Sequence, residues 1–505
     1  MKAGPHKRLA TALTVVALAS ATSIVALATP MMASGAVSGP TSTYVVLYHQ
    51  GAATTDARAT VESAGGTLVA NYSQIGVVIA RSDNAAFASA VKTNPKVEGA
   101  SSSTGLGTRV GDVADTYDGV NTTTTPTATT WGDSLSSLQW DMTQIHAPEA
   151  QAINPGSSSV LVGDVDTGLD FTHPDLAPNY DAANSVDCSS GSPAPLAVGN
   201  DINGHGTHTA GTIAAAANGT GIVGVAPGVR IAGIKSSNDD GFFFPEMVIC
   251  SYMWVASHPI DITNNSYYAD PWLFNCKNDP GQRAIWNAER RAISLAQSHG
   301  TTVLAAEGNE STDLSHPTVD VSSPDNTTPI DREITNACAV VPVEIPGVVG
   351  VTATGNLQLK SFYSSYGVST ADVAAPGGDS ILQRTTAAPN GQVLSTFSSV
   401  GTICPPSRTV IDPGTGAKFC YLQGTSMANP HATGVAALAL SAHRATAGSL
   451  AAAVQRATNP LACPSDMSIY GPFPQNSGAA QVCQGGAGHN SFYGSGEVDA
   501  LKAVQ

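Results

Sequence analysis

SSVLVGDVDTG, residues 158–168, decides the fold. Val160, Leu161, Val162 and Val165 form a short apolar run, and Asp166-Thr167-Gly168 closes it with turn chemistry. A run with so little polar alternation reads as a strand buried on both faces. Outward from it the pattern alternates. GTHTAGTIAAAAN (206–218) is a helix of small residues, VRIAGIKSS (229–237) a strand, PEMVICSYMWVASHP (245–259) a helix and IDITNNS (260–266) a strand. AIWNAERRAISLAQSHG (284–300) is an amphipathic helix and TTVLAAEGN (301–309) a strand. This alternation predicts an α/β fold, a parallel sheet covered by helices on both faces.

The chain has 505 residues, 42% hydrophobic and 12% charged, a globular composition with length for one large core or two to three ordinary domains. Lys+Arg number 22 against 38 Asp+Glu, a net charge of -16, which argues against nucleic acid and against stable membrane association. The N-terminus opens with basic MKAGPHKR, continues with apolar Leu9 to Ala28, and offers small-residue cleavage points after Ala28 and Ala36. Residues 1–36 therefore read as a secretory signal peptide, and the protein as secreted and extracellular. The competing reading is a membrane anchor, since the run is about long enough to span; the small residues after it favour cleavage. Eight cysteines, none in a Cys-x-x-Cys pair, argue against zinc or redox chemistry and, behind a signal, for disulfides. Local closure is expected for Cys404–Cys420 and Cys463–Cys483; the pairing of the other four is open.

Residues 37–100 read as a unit of their own. TYVVLYHQ (43–50) is a strand, TTDARATVESAGG (54–66) a helix stopped by glycines, TLVANYSQIGVVIARS (67–82) two strands, DNAAFASAVKTN (83–94) a helix and PKVEGASS (95–102) a closing strand. The order β-α-β-β-α-β predicts a small α+β, ferredoxin-like arrangement. Residues 101–137, with VNTTTTPTATT, read as a Ser/Thr-rich linker, and 138–505 as the main domain.

Three short stretches carry chemistry. Asp166 ends a predicted parallel strand, where open α/β sheets place their sites. His205, in NGHGTHTAGT, lies between two glycines at a predicted helix start. A His-x-x-His metal site is the weaker reading there, because no acidic third ligand has helical spacing. Ser426, in GTSMANPHATGVAAL, precedes a run of small apolar residues at the positive end of a predicted helix. Pro430 is expected in the first turn, where a missing N–H costs nothing. Each residue alone has a bland reading, as turn, structural histidine or N-cap. Together an acid, an imidazole and a hydroxyl supply orientation, base and nucleophile.

The stretches DVDTG, HGTHTAG, AAEGN and GTSMANPHATGVAAL, over residues 138–505, resemble the subtilisin-like serine peptidases, the subtilases. The resemblance implies a subtilisin-like catalytic domain with Asp166 orienting His205, His205 as general base and acid, Ser426 as nucleophile and Asn309 as oxyanion donor. It implies polypeptide substrates, a monomer, and no cofactor for the chemistry. Structural calcium is common in the family, and no residue pattern here singles out a site; no metal ligand is assigned. Substrate backbone would lie against Ser266-Tyr267-Tyr268 and Ala306-Glu307-Gly308, where tyrosines and an acid replace the family's small residues. Glu307 favours basic side chains if it faces the pocket and touches no substrate if it faces away. Asn429 stands where the family more often has Ser or Thr. By position, 37–100 resembles the inhibitor-type propeptide of subtilases, an intramolecular inhibitor of a zymogen cut in the linker.

Overall fold

The computed structural model describes residues 38–103, 107, 109–110 and 132–505. The expected signal peptide (1–36) and most of the 101–137 linker lie outside the described residues.

The first unit runs β1 (Ser38–Tyr48), α1 (Ala57–Ser63), β2 (Gly66–Tyr72), β3 (Val77–Asn84), α2 (Phe87–Val91) and β4 (Val97–Ser102). Its sheet has the order β2-β3-β1-β4, with every neighbouring pair antiparallel. Side chains alternate across β1 as a pleated strand requires. Tyr44, Val46 and Tyr48 pack with Val61 of α1 and Phe87 of α2, and Val45 and Leu47 point the other way.

The main domain begins with α3 (Trp140–Gln144) and α4 (Ala147–Ile153). There follow β5 (Leu161–Asp166), β6 (Val186–Asp187), α5 (His205–Ala214), β7 (Arg230–Lys235), α6 (Pro245–Ser257), β8 (Ile262–Asn265), β9 (Asn275–Cys276), α7 (Pro280–Ser298) and β10 (Thr302–Ala306). After β10 come β11 (Val319–Asp320), β12 (Arg332–Glu333), β13 (Cys338–Ala339), β14 (Val349–Thr354), β15 (Ala371–Pro376) and α8 (Thr425–Ser441). The nine-stranded sheet has the order Thr458–Asn459, Glu497–Val498, β15, β14, β10, β8, β5, β7, β6. Only the pairing of its first two strands is antiparallel.

Helices cover both faces. Leu161, Val165, Val303 and Ala305 pack with α6 and α7, whereas Val162, Ile231 and Leu304 pack with α5 and α8. This two-sided burial is why the strands read as continuous apolar runs. Helix α7 begins earlier than its apolar periodicity indicates, because Asp279 caps it, accepting from Gly281 N and Gln282 N, with Pro280 at the first position.

The outer face of the first sheet rests on α6 and α7. Val45, Leu47, Val77 and Ile79 share one apolar cluster with Val248, Tyr252, Ala288 and Ala292. Arg291 of α7 donates to Tyr48 O (2.8 Å) and Ile75 O (3.2 Å) and pairs with Glu98 at 2.8 Å. Both expected local disulfides form, and Cys188–Cys250 and Cys276–Cys338 account for the remaining cysteines. Among the described residues no helix is long and apolar enough to cross a membrane.

Candidate active site

Asp166 ends β5 and His205 begins α5. Two glycines let these elements meet. A side chain on Gly204, which has φ of 99°, would strike the Phe397 ring at 2.3 Å, and one on Gly206 would come within 2.2 Å of Gly168 O. The close approach joins His205 Nδ1 to Asp166 Oδ1 at 2.8 Å, with both residues buried. Asp166 Oδ1 also accepts from Thr167 N at 2.7 Å. The carboxylate fixes the tautomer, so the proton sits on Nδ1 and Nε2 carries the free lone pair. Among the described residues Nε2 has no partner.

Asp201 holds the loop before His205. It accepts from Thr167 Oγ1 and Gly204 N through Oδ1 and from Thr207 N and Oγ1 through Oδ2. Asp164 sits two residues before Asp166, hence on the same face of β5. It accepts from Asn264 Nδ2 (2.8 Å) and Thr209 Oγ1 (2.9 Å). Burial, and then the charge of Asp166, push its carboxyl well above the usual range. The spacing of Asp164 was readable in the sequence; the role of Asp201 was not, since nothing marks one loop aspartate among several.

Ser426 is the second residue of α8, so the helix starts before the predicted point and Pro430 lies inside it rather than in its first turn. Proline at 430 cannot donate to the carbonyl of Ser426. Ser266 Oγ takes that place, donating to Ser426 O at 3.0 Å, while Ser426 Oγ donates to Ser266 O at 3.2 Å. The serine hydroxyl is thus turned to Ser266, and no hydrogen bond joins it to His205. Helices α5 and α8 pack against each other.

Asn309 lies beyond β10. Its Oδ1 accepts from Thr425 N (2.9 Å) and Thr425 Oγ1 (3.0 Å). A backbone N–H can pair only with the amide oxygen, so this contact fixes the amide orientation and makes Nδ2 the donor of the pair, 3.6 Å from where a Gly424 β-carbon would stand, beside the start of α8. Asn429 is buried within α8 and donates to Asn264 Oδ1 at 2.7 Å, linking α8 to β8 and, through Asn264, to Asp164.

The predicted substrate-facing residues diverge. Tyr267 is 3% exposed, stacked on Phe243 with centroids 4.2 Å apart. Tyr268 is half-buried, and its hydroxyl donates to Glu310 Oε1 at 3.3 Å. Glu310, not anticipated from the sequence, accepts from Asn309 N at 2.8 Å, and burial raises its carboxyl. Ala306 ends β10 in the core; Gly308, at φ of 108°, donates its N–H to Thr425 Oγ1 at 3.1 Å. Glu307 turns to Gly350, is 1% exposed, and burial pushes its carboxyl well above the ordinary range.

His208 faces Cys420 O (3.0 Å), which makes its Nε2 a donor, and burial depresses it to about 3. It therefore stands neutral, its Nε2 engaged with the Cys420 carbonyl. Among the described residues no three histidine, cysteine or carboxylate side chains converge as a metal site.

The profile of the subtilase family matches residues 157–496. Fervidolysin of Fervidobacterium pennivorans is 30% identical over 329 residues, covering 62% of this chain and 39% of fervidolysin. Subtilisin DY of Bacillus licheniformis is 29% identical over 297 residues, covering 59% of this chain and 82% of its own length. The crystal structure of an epidermin leader peptide processing serine protease from Staphylococcus aureus has the same fold. Its TM-score is 0.63 at 18% identity, over 92% of this chain and 98% of that one. The fold and the family match agree, and this chain belongs to the subtilase family of serine endopeptidases.

Proposed function

We propose that the protein is a secreted serine endopeptidase, made as a self-inhibited zymogen. Ser426 Oγ attacks the scissile carbonyl and gives its proton to His205 Nε2 after rotating away from Ser266 O. Asp166 holds the imidazole and stabilises the imidazolium through Nδ1–H. Asn309 Nδ2 and the N–H of Ser426 at the start of α8 stabilise the oxyanion. His205 then protonates the leaving amine, and water hydrolyses the acyl-enzyme by the reverse proton path. The observation that carries this reading is the joined Asp166–His205 pair with Nε2 unengaged, on a helix packed against the one bearing Ser426.

Residues 37–100 act as the intramolecular inhibitor. The β-α-β-β-α-β order and the apolar seam with α6 and α7 support this reading. Processing takes place in the linker, and the mature enzyme is an extracellular monomer. Its substrates are polypeptides, and it requires no cofactor for the chemistry.

A fluorophosphonate probe tests the assignment. The wild-type chain is expected to label once, on Ser426, and Ser426→Ala not at all; labelling that survives the substitution removes Ser426 as nucleophile. A full-length Ser426→Ala chain beside a processed wild type shows self-maturation; equal processing of both assigns it to another protease.

A further inference from the structure

The chain after β4 returns to the main domain, and three of its residues sit in a two-walled channel. On one wall, Val110 N donates to Gly241 O at 2.9 Å, and Val110 is buried in the cluster under α6. On the other, Gly107 N donates to Asn326 Oδ1 (3.1 Å), Gly107 O accepts from Asp325 N (3.0 Å), and Arg109 N donates to the Asp325 carboxylate (3.0 and 3.1 Å). Residues 107 and 109 bond to one side and 110 to the other, as in an extended strand between two partners.

The channel reaches the proposed active site through the wall that carries Gly241. Gly241 lies against Asn203, whose Oδ1 accepts from His205 N. Asp270, beside Gly107, ends the segment that starts at Ser266. The wall bearing Asp325 belongs to the long excursion between Asn309 and β14. Arg332, paired with Asp320, donating to Phe274 O (2.9 Å) and lying 4.2 Å over the Trp272 ring, braces it. Cys276–Cys338 ties its far end to β9. At position 107 a side chain has no room: a β-carbon would fall 2.7 Å from Phe242 Cδ1 and 3.1 Å from Asp270 Oδ2.

We propose that Asp325 and Asn326 form a substrate-recognition wall which grips an extended polypeptide by its backbone, demanding glycine where Gly107 sits and a small aliphatic residue three positions later. This rests on the peptidase reading above, with the chain's own segment occupying the track a substrate would follow. Asp325 supplies what a neutral wall lacks, a charged acceptor for a backbone N–H.

The test uses the full-length Ser426→Ala chain and added trypsin, which cuts after Arg109 when that segment leaves the channel. Asp325→Ala and Gly107→Leu are each expected to raise cutting there about tenfold, the equivalent of one charge-assisted hydrogen bond, with cutting after Arg58 and Lys92 unchanged. Unchanged cutting after Arg109 overturns the proposal. With the active chain, a peptide reproducing residues 103–116 is compared with a short chromogenic peptide. Asp325→Ala is expected to raise KM for the long peptide only; an equal rise for both overturns the wall. If the wild type hydrolyses neither, the peptidase reading fails, while the trypsin result still decides the channel.

Discussion

Ser266 and Ser426 exchange two hydrogen bonds, each hydroxyl donating to the other's carbonyl, at 3.0 and 3.2 Å. The pair follows from Pro430. A proline one turn into α8 leaves the Ser426 carbonyl without its helical donor, and the strand-end serine fills the gap. The residue proposed to bind substrate backbone thus also holds the helix that carries Ser426, the proposed nucleophile.

Ser266→Ala leaves that carbonyl buried without its donor, at a cost of about 1–2 kcal/mol in urea unfolding. Pro430→Ala restores a helical N–H, so the double variant is expected to recover most of the loss. Additive losses would show that the carbonyl does not depend on Ser266.

Asp141 and His431 are both fully buried, with His431 Nε2 2.9 Å from Asp141 Oδ2 and Nδ1 2.8 Å from Met427 O. The pair pins α3 to the first turns of α8. Asp141→Ala leaves a buried ring N–H without its acceptor and is expected to cost about 1–3 kcal/mol. Asp141→Asn keeps a polar partner and is expected to cost less, read by urea midpoint.

Burial holds His208 at about 3 and His173 at about 4, below the ordinary histidine value. Each stays neutral in the fold while the unfolded chain takes up a proton below about pH 6.5. Their contribution to stability is intact above that pH and lost as pH falls toward the folded values, by about 1.4 kcal/mol per pH unit for each group. His208→Gln removes one such proton. Its deficit relative to wild type is expected to shrink between pH 6.5 and 4; a constant deficit would contradict the assignment.

Glu307 is turned into the core and Glu310 toward Tyr268. Glu310→Gln is expected to lower kcat/KM for peptides with Arg or Lys before the scissile bond relative to Leu, and Glu307→Gln to leave that ratio unchanged. The neutral Glu307 carboxyl resists ionisation, so its cost appears as pH rises above the ordinary glutamate value. Glu307→Gln is accordingly expected to stabilise the protein at pH 8 more than at pH 4.

The parallel sheet was legible because burial on both faces leaves unbroken apolar runs such as Val160 to Val162, and Asp166, His205 and Ser426, each within two residues of a glycine, stand out against them. Three things were not legible. The start of α8 depends on Ser266, 160 residues away in sequence, which no local pattern reveals. The facing of Tyr267 and Glu307 was undetermined because β8 ends at Asn265 and β10 at Ala306, and strand parity stops there. The wall with Asp325 comes from a polar stretch without period, shaped by Arg332 and a disulfide.

The apolar seam between the first sheet and α6–α7 separates two events easily taken for one. Cutting the linker changes covalent connectivity and leaves Val45, Leu47, Val77 and Ile79 still packed on the helices, with Arg291 still clasping Tyr48, Ile75 and Glu98. A nicked chain would therefore remain a non-covalent complex, and under the inhibitor role proposed for residues 37–100 the appearance of activity would lag behind the nick, its timing set by dissociation or by destruction of the freed unit.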